Sequence, residues 1–541
     1  MSALRAWLHV ATADLRVRLR DRRLLMVVAA CIYLGHLVMT GQVELTLAGR
    51  TYRGVENAAW MGTILALTAA FVLIFFGFYL VRGALTRDRQ ARTAPLVATA
   101  PVRSVTYLLG KWTSGTLFLL LLAASMAMSV AVLFLLQGRG LPAPGALLTP
   151  ILLFVVPTAA AVAALALAFE CLPGLGGTVG GILYFVGAVA AVSAPVNGAA
   201  QVDLMGVGAI HDSMAQALRA QHPGADVGRM FGFGYYRDAA EQLKTFRWDG
   251  VAVTADLLLR RLGLVLASAA LAAGAALPFG RFDPSPAWRM NVAWWMKAPS
   301  WMSPARWTGL RGGSSGPDPD ASASPTGEPL AKGPPTEEFL PSKPPSEPAA
   351  PRSSLGSLSA PYALRPLALF MAECRRSLRR RSWTWRLGAL ALVGVGLWWP
   401  ASTGLLVVMW LWPMPLWSDL GASEAASRVE PLVASSLYPW AQRVAAWAVG
   451  AGATLALLAG PLLLGGNWRA LVGVLFVPAL GLAAGRLSGT PRLFEIVYLV
   501  LWYVGVANRQ AALDFGGVAE APWATLLGYS VAGAVLLAGA V

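Results

Sequence analysis

The chain has 541 residues, 56% of them hydrophobic and only 13% charged, with a mean hydropathy of +0.58 and a formal net charge of +16. Soluble globular proteins carry about 25% charged residues, so this composition excludes that class, and repeated apolar runs of about 20 residues predict an all-α, polytopic helical membrane protein. Cytoplasmic loops of such proteins collect Arg and Lys, so the basic balance implies no nucleic-acid partner.

In chain order, residues 1–23 read as an amphipathic N-terminal helix. Leu4, Trp7, Leu8, Ala11, Leu15 and Leu19 recur at helical spacing, with Arg5, Arg16, Arg18 and Arg20 off that stripe. Such a helix lies flat on an anionic inner leaflet. A first span follows near 24–40. Val28-Ala29-Ala30-Cys31 resembles a lipoprotein cleavage box and Arg22-Arg23 a twin-arginine signal, but the apolar run continues through Ile32, Leu34 and Leu37, which predicts an uncleaved span. Arg50 and Arg53 fall in a short outer loop. Further spans near 58–82, 113–136, 147–169, 177–196 and 257–279 complete a first six-span half over 24–285.

Within that half, 197–256 is an external insertion. Ile210, Met214 and Leu218 stand four apart and predict a helix ending at Pro223-Gly224, with a second helix from Arg237 to Thr245. His211, Asp212 and His222 lack zinc-site spacing and read as solvated surface. Arg229 to Tyr236, RMFGFGYY, echoes an RNA-stacking stretch; without a surrounding sheet and on the outer side, it reads as an interfacial aromatic patch. The cysteines, Cys31, Cys171 and Cys374, show neither metal nor disulfide spacing.

Residues 286–361 form a cytoplasmic tail and linker. From 312 to 361 the composition is Pro, Ser, Gly and Asp/Glu rich, cannot bury a core and predicts disorder. The second half, 362–541, then replays the first. Ala372-Glu373, Arg375, Leu378-Arg379 and Arg381 match Ala13-Asp14, Arg16, Leu19-Arg20 and Arg22 in order. Spans are expected near 385–399, 404–417, 444–465, 468–486, 493–507 and 523–541. Pro431-Leu432-Val433-Ala434 repeats Pro95-Leu96-Val97-Ala98, and Asn508, Ala511, Asp514, Gly517 and Val518 match Asn197, Ala200, Asp203, Gly206 and Val207. Three echoes in one order predict an internal repeat. Both copies begin inside, giving about 12 transmembrane helices in two parallel six-helix repeats.

The candidate site is the polar stretch from Arg87 to Trp112, which sets Arg87, Arg89, Arg92, Arg103 and Lys111 against one acid, Asp88. Between two spans, so basic a loop faces the cytoplasm, as does the N-terminus. Pro95 and Leu96 at its centre, with Pro431, Leu432 and Arg428 in the second half, form a matched pair of contact sites. No catalytic, cofactor-binding or metal residues are expected. Gly110-Lys111 is followed by Trp112, with no glycine loop to cradle phosphates, so the chain has no ATPase motif of its own. No nucleophile elbow, HExxH or paired catalytic carboxylates appear. The span interiors carry almost none of the ionisable groups that an ion-coupled carrier uses at mid-membrane, which points to energy supplied by a partner.

An amphipathic elbow, six spans, a long basic cytoplasmic loop between spans two and three and a helical insertion between spans five and six resemble the membrane subunit of an ABC-2 type exporter. Thr86 to Trp112, with TAPVRSVTYLLGKW, resembles the loop bearing that family's coupling helix. Trp248-Asp249-Gly250 and Arg281-Phe282-Asp283-Pro284 are similar to segments of some members. The resemblance is fuller over 1–285 than over 362–541. It implies two fused permease units in the plasma (inner) membrane that form a translocation pathway, receive a separate ABC ATPase subunit on the two cytoplasmic loops and export an unknown substrate, among membrane lipid. Two alternatives stand beside it. One is a major-facilitator-like secondary transporter, because Gly83 to Arg92 resembles the loop GxxxDRxGRR, although a residue is inserted before Asp88 and Ala91 replaces a glycine. The other is a non-transporting scaffold of an envelope complex.

Overall fold

Apolar runs of this length become helices because a helix pairs every backbone N–H and C=O within its own segment. The computed structural model describes residues 2–282 and 365–541, except 22, 49–50, 137–143, 197–202, 226, 228–230, 236–242, 281, 428, 436–437 and 520. The expected linker 312–361 lies outside the described residues. One unit joins Met1–Arg289 with Ala389–Val541, and a second is Met290–Gly388.

α1 (Ala3–Leu19) begins at Ser2, whose side chain accepts from the Arg5 backbone N–H. α2 (Arg23–Met39) is bent by 82° from it and leads into β1 (Val43–Leu47) and β2 (Tyr52–Gly54). α3 (Ala58–Val72), capped by Asn57, runs through a π-helical turn, Leu73–Gly77, into α4 (Phe78–Val81). Two short helices, α5 (Ala84–Gln90) and α6 (Ala94–Thr99), precede the 33-residue α7 (Ser104–Leu136). α8 (Pro144–Pro150) continues through a second π-helical turn into α9 (Val156–Cys171). α10 (Thr178–Val196), α11 (Val207–Gln221), β3 (Phe231–Tyr235), β4 (Lys244–Phe246) and α12 (Ala255–Gly274) follow.

In the second half, α13 (Arg365–Arg379) is succeeded by α14 (Trp383–Trp398), α15 (Thr403–Leu411) and α16 (Met414–Leu420). The short α17 (Ala422–Ala426) and α18 (Glu430–Ala434) lead to α19 (Pro439–Leu457) and α20 (Ala459–Leu463). A 3-10 turn, Trp468–Ala470, opens α21 (Leu471–Ser488); α22 (Arg492–Leu501) ends in a π-helical stretch, Trp502–Ala507, and α23 (Trp523–Ala540) closes the chain.

Six helical runs are long and apolar enough to cross a membrane: Ala58–Gln90, Ser104–Leu136, Gly145–Cys171, Ala255–Gly274, Trp468–Ser488 and Trp523–Ala540; α1 and α2 taken as one broken span make seven. The described residues therefore do not supply the expected twelve. A hydrocarbon layer takes about 20 helical residues, and the remaining segments are short, interrupted or, as in the 19-residue α19, less apolar. The apolar part of α10 is Thr178–Ala194. α14 has 16 residues, α15 has nine and stops before Pro413, and α22 has ten before its π-helical stretch.

The expectation of an all-α fold is corrected as well. The chain is mostly helical but also builds a four-stranded sheet in the order β3-β1-β2-β4. β1 pairs antiparallel with β3, Val43 opposite Tyr235 and Leu47 opposite Phe231, and with β2; β2 pairs parallel with β4, Gly54 opposite Phe246. The aromatic stretch read as an interfacial patch is thus largely a strand, Phe231, Phe233 and Tyr235 alternating with glycines at period two. In place of the helix expected over Arg237–Thr245, 244–246 is a strand, while 237–242 lies outside the described residues. Trp60, at the start of α3, meets Phe246 and Trp248 edge-on at 6.3 and 6.0 Å, and Asn57 Nδ2 donates to the Trp248 carbonyl (2.6 Å), tying the sheet to the helices.

Two sequence echoes have matching backbone roles. The Asp203 carboxylate accepts from the N–H groups of Gly206, Val207 and Gly208, and that of Asp514 from those of Gly516 and Ala519. Gly206 and Gly517 both have positive φ, 84° and 69°, where a side chain is strained. Trp112 Nε1 on α7 donates to the Ala160 carbonyl of α9 (2.9 Å), as Trp447 Nε1 on α19 does to the Leu475 carbonyl of α21 (3.2 Å).

Candidate functional site

The first loop starts at Gly83, whose φ of 89° turns the chain out of α4. That conformation favours glycine, and a Cβ there would also displace the Arg492 guanidinium of α22. The free N–H groups that open α5 are taken by a carboxylate at the end of α9. Ala84 N donates to Glu170 Oε1 (3.0 Å) and Leu85 N to Oε2 (2.9 Å), an anion at a helix N-terminus.

α5 carries Arg87, Asp88 and Arg89 to the foot of α7, where α1 packs. Asp14 on α1 is buried and receives Arg18 Nε (2.8 Å), Lys111 Nζ (2.8 Å) and Ser114 Oγ (2.7 Å). Lys111 also meets Asp88 Oδ2 at 2.8 Å, and the Tyr107 hydroxyl donates to the same oxygen. One ammonium therefore bridges the amphipathic helix and the loop. Burial works against ionising Asp14, but Arg18 and Lys111 beside it prevail and hold its carboxyl below the usual range.

The basic residues expected to form one exposed surface divide into two sets. Arg87 is only one-third exposed and reaches Asp14 at 3.8 Å. Lys111 is buried. Arg89 lies over the Phe282 ring at 5.3 Å, and Phe282 packs on Phe279 and Tyr107. Arg92, at a positive φ of 57°, and Arg103 are exposed. Between them, Pro95 starts α6, Ala94 turns inward and Leu96 stands 69% exposed.

The second loop is built on the same plan. Pro431 starts α18, and Leu432 is 70% exposed. In both halves an acid seven residues before the proline, Asp88 or Glu424, meets a residue twelve after it, Tyr107 or Arg443. Arg443 is buried, 3.7 Å from Glu424, and also donates to the Val541 carbonyl (2.9 Å). Arg428 lies outside the described residues.

Sequence reasoning missed the charges that join the halves behind these loops. Arg82, at the end of α4, lies 3.6 Å from Glu495 in the first turn of α22, both buried. The Thr178 and Ser418 hydroxyls are 3.1 Å apart. The available signal was an ionisable residue within a turn of the end of an apolar run. Among the described residues, no three His, Cys, Asp or Glu side chains gather as a metal-ion site. The arrangement is a mechanical one: two short, proline-started helices, each presenting a leucine outward and stapled to the bundle by a pair around its loop.

No family model, curated protein or solved structure matches this chain.

Proposed function

We propose that the chain is the membrane permease of an ATP-driven ABC-2 type exporter, in which two fused six-span units form the pathway and α6 and α18 dock a separate ATPase. The carrying observation is the pair Leu96 and Leu432, about equally exposed on matched helices. Each is a knob suited to an apolar cleft on a soluble partner. The exposed Arg92 and Arg103 add charge that steers an acidic partner to the first helix. The matched Asp203/Asp514 bonds support two parallel repeats, the shorter segments such as α15 and α22 standing as the less complete spans of the second. A cytoplasmic N-terminus is inferred from the basic loops; a plasma-membrane location and export as the direction rest on the family resemblance alone.

The test is copurification with a co-expressed ABC ATPase subunit, at low and high salt. Leu96→Asp should weaken recovery at both salt concentrations by about tenfold or more, since burying one leucine contributes roughly 1.5–3 kcal/mol. Joint Arg92→Glu and Arg103→Glu should weaken it mainly at low salt. The chain alone should not bind a nucleotide analogue saturably. Undiminished recovery in every correctly inserted variant would favour the secondary-transporter or scaffold alternative.

A further inference from the structure

We propose that the cleft between the Trp468 end of α21 and the Trp523 end of α23 binds one anionic membrane phospholipid, its phosphate on Arg469 and an acyl chain along Leu471 and Leu527. The cleft holds about 390 Å³ and is lined by Trp468, Arg469, Leu471, Trp523, Leu527 and Ser530 among others. That volume falls in the range of about 300–1,000 Å³ typical of small-molecule sites.

The order of its chemistry is that of a phospholipid. At the mouth, the Trp468 and Trp523 indoles stand 5.6 Å apart, tilted by 42° and largely exposed, the placing of aromatic rings at headgroup level. Arg469 lies beside them, and no side-chain hydrogen bond or ion pair holds its guanidinium among the described residues. Below, Trp523, Leu527 and Ser530 follow one helix face for about 10 Å, opposite Leu471. Both α21 and α23 begin here, so their positive ends add to the attraction for an anion. A tryptophan at a span end is ordinarily an interface anchor and needs neither a cleft nor a cation.

The first half supplies a contrasting arginine, one whose guanidinium has protein partners. Arg261 on α12 is 7% exposed, lies over the Phe154 ring at 5.0 Å and donates to the Asp203 carbonyl at 2.6 Å. Arg469 has no such arrangement, and the apolar wall beneath it has no use for a free phosphate.

The test is native mass spectrometry of the full chain in detergent, titrated with dioleoylphosphatidylglycerol, dioleoylphosphatidylcholine or glycerol 1-phosphate. One phosphatidylglycerol should bind ahead of the others, about fivefold more weakly in Arg469→Gln and also more weakly in Leu527→Trp, which fills an exposed position of the cleft. Val535→Trp, another exposed position on α23, should bind as the unaltered chain does. Equal lipid binding in both cleft variants overturns the proposal. Glycerol 1-phosphate binding as tightly as the lipid overturns it in favour of a free-anion site, and a dimer lost only in Leu527→Trp, without a lipid adduct, overturns it in favour of a second copy of the chain.

Discussion

At the scale of the residue, Asp14 is the carboxylate on which the first loop is built. It joins α1, α5 and α7 through Arg18, Arg87 and Lys111. Its folded pKa is depressed, so its contribution to stability is complete above the unfolded value of about 3.9 and is lost as pH falls from there through the lower folded value. Asp14→Asn should therefore destabilise the protein at pH 7 by about 3 kcal/mol, the cost of leaving buried Arg18 without its anion while Lys111 keeps Asp88. The gap in melting temperature from the unaltered chain should narrow below about pH 4. A gap that is unchanged at pH 3 would show that Asp14 acts by shape alone. The same residue marks a limit of sequence reading. Five basic residues around Asp88 look like open surface, but the acid that draws Lys111 inward stands 97 positions earlier in the chain. The span and the amphipathic stripe were legible, while their side-chain partnership was not.

At the scale of the element, long helices were legible because period and length both favour them, and the runs α3–α4, α8–α9, α12, α21 and α23 lie within about five residues of the expected apolar runs. The main shift is at α7, which starts at Ser104, not near 113, because Tyr107 and Lys111 are held against Asp88 and continue the helix into the loop. The sheet was missed for a physical reason. Its strands have three to five residues, and β1 pairs with β3 across nearly the whole first half. No local window contains that pairing, and alternation in RMFGFGYY was the one trace of it. Gly83→Ala should test how tightly the α4–α5 junction is fixed. The positive φ opposes a side chain, and a Cβ would make the Arg492 guanidinium shift, so the variant should lower the melting temperature. Gly145→Ala, at a position with no neighbour within 4 Å, is the control and should change it little.

At the scale of the molecule, the two halves meet within one unit through Arg82 with Glu495 and Thr178 with Ser418. These bonds do not depend on a peptide link, so 1–324 and 325–541 expressed together should copurify. Thr178→Cys with Ser418→Cys should form a disulfide between them under mild oxidation, since the two hydroxyls are 3.1 Å apart. Separate recovery of the fragments, each inserted, would place the association in the connecting segment instead. The echoes in the sequence made the duplication legible as an expectation; the Asp203 and Asp514 carboxylates, each binding the backbone of the turn that follows, are in keeping with it.

The measurement that bears most directly on a paired docking surface is site-specific photo-crosslinking in cells, with the reactive residue at Leu96, at Leu432 or, as a control, at Leu266, which is also exposed but lies on α12. The account predicts that Leu96 and Leu432 each capture the same ATPase, identified by its phosphate-cradling glycine loop, and that Leu266 does not. Capture of no ATPase at either leucine, with the chain inserted and the reagent active, would contradict it.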